Sequence, residues 1–108
     1  EVRKHGLETR FAGVCALDMG VVEIANQQEK VFERGKEAAK KLIDNGAEVI
    51  ILGCSSMAGY SQTLSKEIGI PVIDPTIVTF KLVEGLIETG LSQSKIGLYS
   101  TPKPQKNN

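Results

Sequence analysis

A chain of 108 residues has room for one small domain or a piece of one. Hydrophobic residues make up 41% and aromatics only 5%, so Val, Ile, Leu and Ala must fill the core. Thirteen basic residues balance thirteen acidic ones, leaving no electrostatic footprint for nucleic acid. No apolar run approaches the roughly 18 residues of a membrane span. The start Glu1-Val2-Arg3-Lys4-His5 lacks the apolar core of a secretory signal, which gives a cytoplasmic expectation. Cys15 and Cys54 are then read as free thiols in a reducing compartment. With one His and no paired-cysteine spacing, no metal site is expected.

Glu1 to Gly6 reads as the last turn of a helix, basic at its end and stopped by Gly6. Phe11 to Leu17 reads as a strand, followed by a turn at Asp18-Met19-Gly20 and an extended Val21 to Ile24. Gln28 to Asn45 is the clearest helix. Val31, Ala38 and Leu42 recur on one face beside Gly35, Ala39 and Ile43, while charged residues cover the other. Asn45-Gly46 supplies the left-handed stop.

Ala47 to Leu52 is a short run with no polar alternation after Glu48, the pattern of a parallel strand covered on both faces. A helix capped by Ser55 or Ser56 is expected to follow, with Tyr60, Leu64 and Ile68 inward and Gly69 as its stop. Ile70 to Ile73 is a further strand. Asp74-Pro75 forms an N-cap and first-turn pair for a helix over Thr76 to Thr89, expected to bury Ile77, Phe80, Val83, Leu86 and Ile87. A last short strand is placed around Ile96-Gly97-Leu98, and residues 101–108 are read as a mobile tail after a domain spanning residues 1–100.

The alternation of strands and helices predicts an α/β fold, a parallel sheet with helices on both faces. Cys54 then stands where a strand ends and a helix begins, the end of such a sheet where ligands bind. N–H groups and the dipole at a helix N-terminus stabilise a thiolate, which argues for a reactive sulfur. Free cysteines are also among the most buried residue types, so position alone leaves both readings open. Gly53, Ser55 and Ser56 are equally turn and capping residues or a cradle for a carbonyl or carboxylate oxygen. Cys15 lies mid-strand and reads as a core thiol. His5 lies in a charged helix end and reads as a solvated side chain, which gives no support to a Cys–His hydrolase. Asp74 reads as a cap.

Gly53-Cys54-Ser55-Ser56-Met57 after a strand, then Gly69-Ile70-Pro71-Val72-Ile73-Asp74-Pro75, then Ser92-Gln93-Ser94-Lys95-Ile96-Gly97, resemble the C-terminal half of a hydantoin racemase, in the aspartate/glutamate racemase superfamily. His5-Gly6-Leu7, Arg10 to Val14 and Leu17 to Val22 extend the likeness over nearly the whole chain. The resemblance implies a two-domain enzyme that uses two cysteines and neither pyridoxal phosphate nor a metal. One thiolate removes a Cα proton of a small-molecule substrate, and the other thiol reprotonates the opposite face. It makes Cys54 the second-half cysteine, with Gly53, Ser55 and Ser56 at the substrate. Ser56 departs from the Gly common in the family motif, and Cys15 does not match the first-half cysteine.

The resemblance further implies that the N-terminal half of the enzyme and the first strand of this domain are missing. A fragment of that kind is expected to be inactive alone, and its unpaired sheet edges are consistent with self-association. Other activities of the superfamily, decarboxylation or cis-trans isomerisation of small dicarboxylates, remain alternatives. So does a non-catalytic α/β module that binds a small anion.

Overall fold

The computed structural model describes residues 1–102. Two compact units are present, Glu1–Val78 and the chain from Thr79 onward. The first holds α1 (Val21–Asn26), α2 (Gln28–Asp44), β1 (Ile50–Ile51), α3 (Ser61–Ile68) and β2 (Val72–Ile73). Short 3₁₀ turns occur at Val2–His5, Glu8–Arg10 and Ser55–Met57. The last helix, α4, runs from Pro75 to Glu88. No helix among the described residues is long and apolar enough to cross a membrane.

β1 and β2 pair in parallel, Ile50 opposite Val72 and Ile51 opposite Ile73, with α3 in the crossover between them. The sequence therefore folds into the α/β class it predicts. Ile50 and Leu52 are buried, and Leu52 packs in a core with Ile24 of α1, Val31 of α2, Leu64 of α3, and Met57. α2 packs on α3, and α1 packs on the turn at Ser55–Met57. Ile51, of opposite pleat, is 67% exposed.

α2 matches its periodicity closely. Val31, Gly35, Ala38 and Ala39 are buried, and the charged residues lie outside. Gly46 closes it at φ 91°, its N–H reaching the Ile43 carbonyl while the Ala47 N–H reaches Leu42. That paired closure needs a left-handed residue, which only glycine adopts without strain. In the second unit the same two bonds recur where Gly90 and Leu91 donate to Ile87 and Leu86.

Four expectations fail, for identifiable reasons. Val21 to Ile24 is helical rather than extended: α1 turns Ile24 alone into the core and leaves Val21 and Val22 exposed. Its β-branched residues favour strands, but burial of one side chain decides the local structure. Phe11 to Leu17 joins no ladder. A cavity of about 810 Å³ is lined by residues 9–15 and by 45–51, with Leu42 and Gly53, so no strand bridges the two stretches. Ile96 to Leu98 forms bends and a turn, both apolar ends about nine-tenths exposed, because no neighbouring strand pairs with it. In α4 none of the expected apolar residues is buried. Ile77, Phe80, Val83, Leu86 and Ile87 are all exposed or half-exposed, on a helix too uniformly apolar to define one inward face. The region read as a tail falls mainly on residues 103–108, outside the described residues.

One interaction escapes sequence reasoning. Arg34 of α2 donates from Nη1 to the carbonyls of Leu17 (2.7 Å) and Asp18 (3.0 Å), tying the end of the 11–18 segment to the helix. Asp18 sits there at φ 50°.

The packing sets two opposite expectations for stability. Leu64, 2% exposed, is central to the core, and Leu64→Ala should cost about 2–5 kcal/mol in urea denaturation. Gly35 faces Leu64, but a Cβ added there would meet its Cδ2 at an ordinary 3.8 Å. Gly35→Ala should therefore stabilise by about 0.5–1 kcal/mol through helix propensity. A destabilised Gly35→Ala chain would show that α2 and α3 pack more closely than this.

Candidate functional site

The ladder carries the chain to the site. The Leu52 N–H bonds the Ile73 carbonyl at 3.1 Å, so pairing continues one residue past β1 before the chain leaves the sheet. Cys54 follows in extended conformation (φ −139°, ψ 134°), and its carbonyl accepts the Met57 N–H at 3.0 Å to open the Ser55–Met57 turn. Met57 is buried in the core and pins that turn from beneath.

Cys54 is half-buried and rests against the edge of the core, neither sealed within it nor fully in solvent. Gly53 and Ser55 are exposed and Ser56 is half-buried. Among the described residues, the amide N–H groups of Gly53, Cys54, Ser55 and Ser56 donate no hydrogen bond. Four consecutive uncommitted donors on the segment that carries a thiol are available to a negatively charged or developing oxyanion. Gly53 also lines the cavity of about 810 Å³, whereas Cys54, Ser55 and Ser56 do not. A Cβ at Gly53 would meet nothing within 4 Å.

The helix expected directly after Cys54 begins later. A three-residue 3₁₀ turn intervenes, and α3 starts at Ser61 with Tyr60 at its cap position. Gly59 at φ 89° breaks any helix propagating from Ser55. The dipole of α3 acts within its own first turn, which starts at Ser61, seven residues past Cys54. Ser55 and Ser56 consequently make no side-chain cap of α3. Cys15 departs from expectation too. It is half-buried rather than a core thiol, and it lines the cavity. His5 is exposed, 3.7 Å from Glu1.

Asp74 is the residue whose reach the sequence understates. It is 4% exposed. Oδ1 accepts the N–H groups of Thr76 (2.9 Å) and Ile77 (3.3 Å), the expected cap of α4. Oδ2 accepts the Gly59 N–H at 2.9 Å, fifteen residues away on the loop that follows Cys54. The Gly59 N–H is the largest influence holding this carboxyl below the usual aspartate range. Desolvation opposes it, and the Ile77 and Thr76 N–H groups assist.

The geometry describes an α/β domain that presents a cysteine on a donor-rich loop at the C-terminal end of a parallel strand. Residues 1–83 match the family model described as Asp/Glu/Hydantoin racemase, and the chain belongs to that family. It is 36% identical over 102 residues to a hydantoin racemase of Paenarthrobacter aurescens, covering 94% of this chain and 43% of that protein. The crystal structure of an allantoin racemase from Pseudomonas fluorescens superposes with a TM-score of 0.79 at 35% identity, over 99% of this chain and 46% of that one. An allantoin racemase from Klebsiella pneumoniae gives 0.77 at 33% identity, over 99% and 44%. The chain thus spans less than half the length of the relatives it matches.

The low-titrating Asp74 has a stability consequence with a definite sign. Its stabilising contribution is complete above the ordinary aspartate value of about 3.9 and is lost as pH falls through the lower folded value. Urea midpoints should fall on acidification below about pH 4, and Asp74→Asn should flatten that decline. Glu23, held low chiefly by its hydrogen bond from Lys30, adds to the same acid limb and is untouched by the variant. An unaltered acid limb in Asp74→Asn would contradict the assignment.

Proposed function

We propose that this chain is the C-terminal half of a two-domain, two-thiol racemase. In this reading, Cys54 is one of its paired acid–base groups. The observation that carries the reading is Cys54 just past the end of a parallel strand, on a segment whose four consecutive amides are uncommitted among the described residues. The family match and the racemase relatives support it. Gly53, Ser55 and Ser56 are the substrate-binding residues. The proposed domain spans residues 1–100 and lacks one strand. The cavity between residues 9–15 and 45–51 supports a place there for a strand from the rest of the protein.

The substrate class is a hydantoin ring substituted at C5, a description that includes allantoin. The carbonyl beside C5 acidifies the C–H bond. A thiolate at Cys54 takes that proton as electrons move onto the carbonyl oxygen, and N–H donors hold the developing enolate. The second thiol, from the other half of the enzyme, returns a proton to the opposite face, and no redox change occurs. With one thiol of the pair, the chain alone performs no racemisation.

The test follows racemisation and solvent deuterium incorporation at C5 of 5-benzylhydantoin by the full-length protein in D₂O. Cys54→Ser should lower both by about 10²–10⁴-fold, the range for loss of a positioned acid–base group. Undiminished exchange in that variant would rule out the thiol as proton carrier.

A further inference from the structure

Capping a helix requires one acceptor oxygen, and Ser, Thr or Asn at the cap position would supply it as well as Asp. In Asp74 the two carboxylate oxygens are divided. Oδ1 serves the first-turn amides of α4, and Oδ2 serves Gly59 alone. The second oxygen is buried and does nothing for the helix. Its partner ends the loop that begins at Cys54. That loop is held at its start by the Leu52–Ile73 bond and in its middle by buried Met57. Beyond Met57, Ala58 and Gly59 are exposed, and Gly59 holds a left-handed conformation. The Asp74–Gly59 bond is therefore a further anchor of the loop, at the exposed Ala58-Gly59 stretch that precedes half-buried Tyr60.

We propose that Asp74 is a positioning residue for the reaction at Cys54: its bond to Gly59 fixes the 53–59 loop, and with it the thiol and the free amides, against the end of the sheet. This rests on the reading of Cys54 as an acid–base group. Asp74 itself neither touches the substrate nor exchanges its proton. Its effect passes through the loop, where displacement of a reacting group by about 1 Å can cost about 10²-fold in rate.

Two variants of the full-length protein separate the cap from the tether. Asp74→Ser keeps a hydroxyl for the Thr76 and Ile77 amides but is too short to hold Gly59 as well. Asp74→Asn keeps the size of the side chain but has one carbonyl oxygen for two sets of donors. Expected in both is a fall in kcat for 5-benzylhydantoin of about 10- to 100-fold, with KM changed far less. The rate at which iodoacetamide alkylates Cys54 at fixed pH should also depart from wild type, because the loop bearing the sulfur is released. If Asp74→Ser does not fold, Asp74→Asn carries the test. Wild-type kcat and alkylation rate in a folded variant would overturn the proposal. So would a loss of kcat that follows only a lowered melting temperature, with alkylation unaltered where the variant is folded. A Cys54→Ser protein that still racemises would overturn the underlying reading instead. The alkylation comparison tells the two failures apart, because it reads the loop without turnover.

Discussion

Two residue pairs of parallel ladder determine where everything of chemical interest lies. Ile50 opposite Val72 and Ile51 opposite Ile73 bring two strands to the same end of one small sheet. Cys54 leaves that end on one strand and Asp74 on the other. A one-residue slip would turn Ile50 and Leu52 out of the core and send Ile51 in. It would also carry Asp74 away from Gly59. Burial of Ile50, and of Leu52 against Val31 and Leu64, is what forbids the slip. The register of the site is thus set by aliphatic packing on one face of the sheet.

The loop between the strands shows how polar and apolar restraints share the task. Met57 holds it from the core side by burial, and Asp74 holds it from the far side by hydrogen bonding. The same bond coincides with the break in helical structure. Gly59 gives its N–H to a carboxylate and adopts a left-handed conformation, so helix growth restarts only at Ser61. Among the described residues, the amides of Gly53 to Ser56, on the segment that carries the cysteine, stay uncommitted.

What the sequence made legible was local. α2 with its glycine stop, the Ala47–Leu52 and Ile70–Ile73 runs, and the Asp74-Pro75 cap each carry their signal within a few residues. The position of Cys54 at a strand end follows from such a signal. What stayed hidden depends on partners far along the chain. Phe11–Leu17 and Ile96–Leu98 have strand-like composition, yet a strand exists only where a neighbour accepts its bonds. α1 was obscured by β-branched residues whose preference yields to the burial of Ile24. The second bond of Asp74 requires the register of β1 and β2 to be known, and no spacing rule links residues 59 and 74. The uniform apolarity of α4 was visible in sequence, but the absence of any buried residue on it was not.

Arg34 has a consequence for the segment that fails to become a strand. By clamping two successive carbonyls at Leu17 and Asp18, its guanidinium fixes the heading of the backbone that leads into them. Freedom of the backbone is thereby reduced at residues 17 and 18 before any ladder forms. A strand that docks beside it would meet a rail already laid, and so would forfeit less entropy on pairing than it would beside a loose coil.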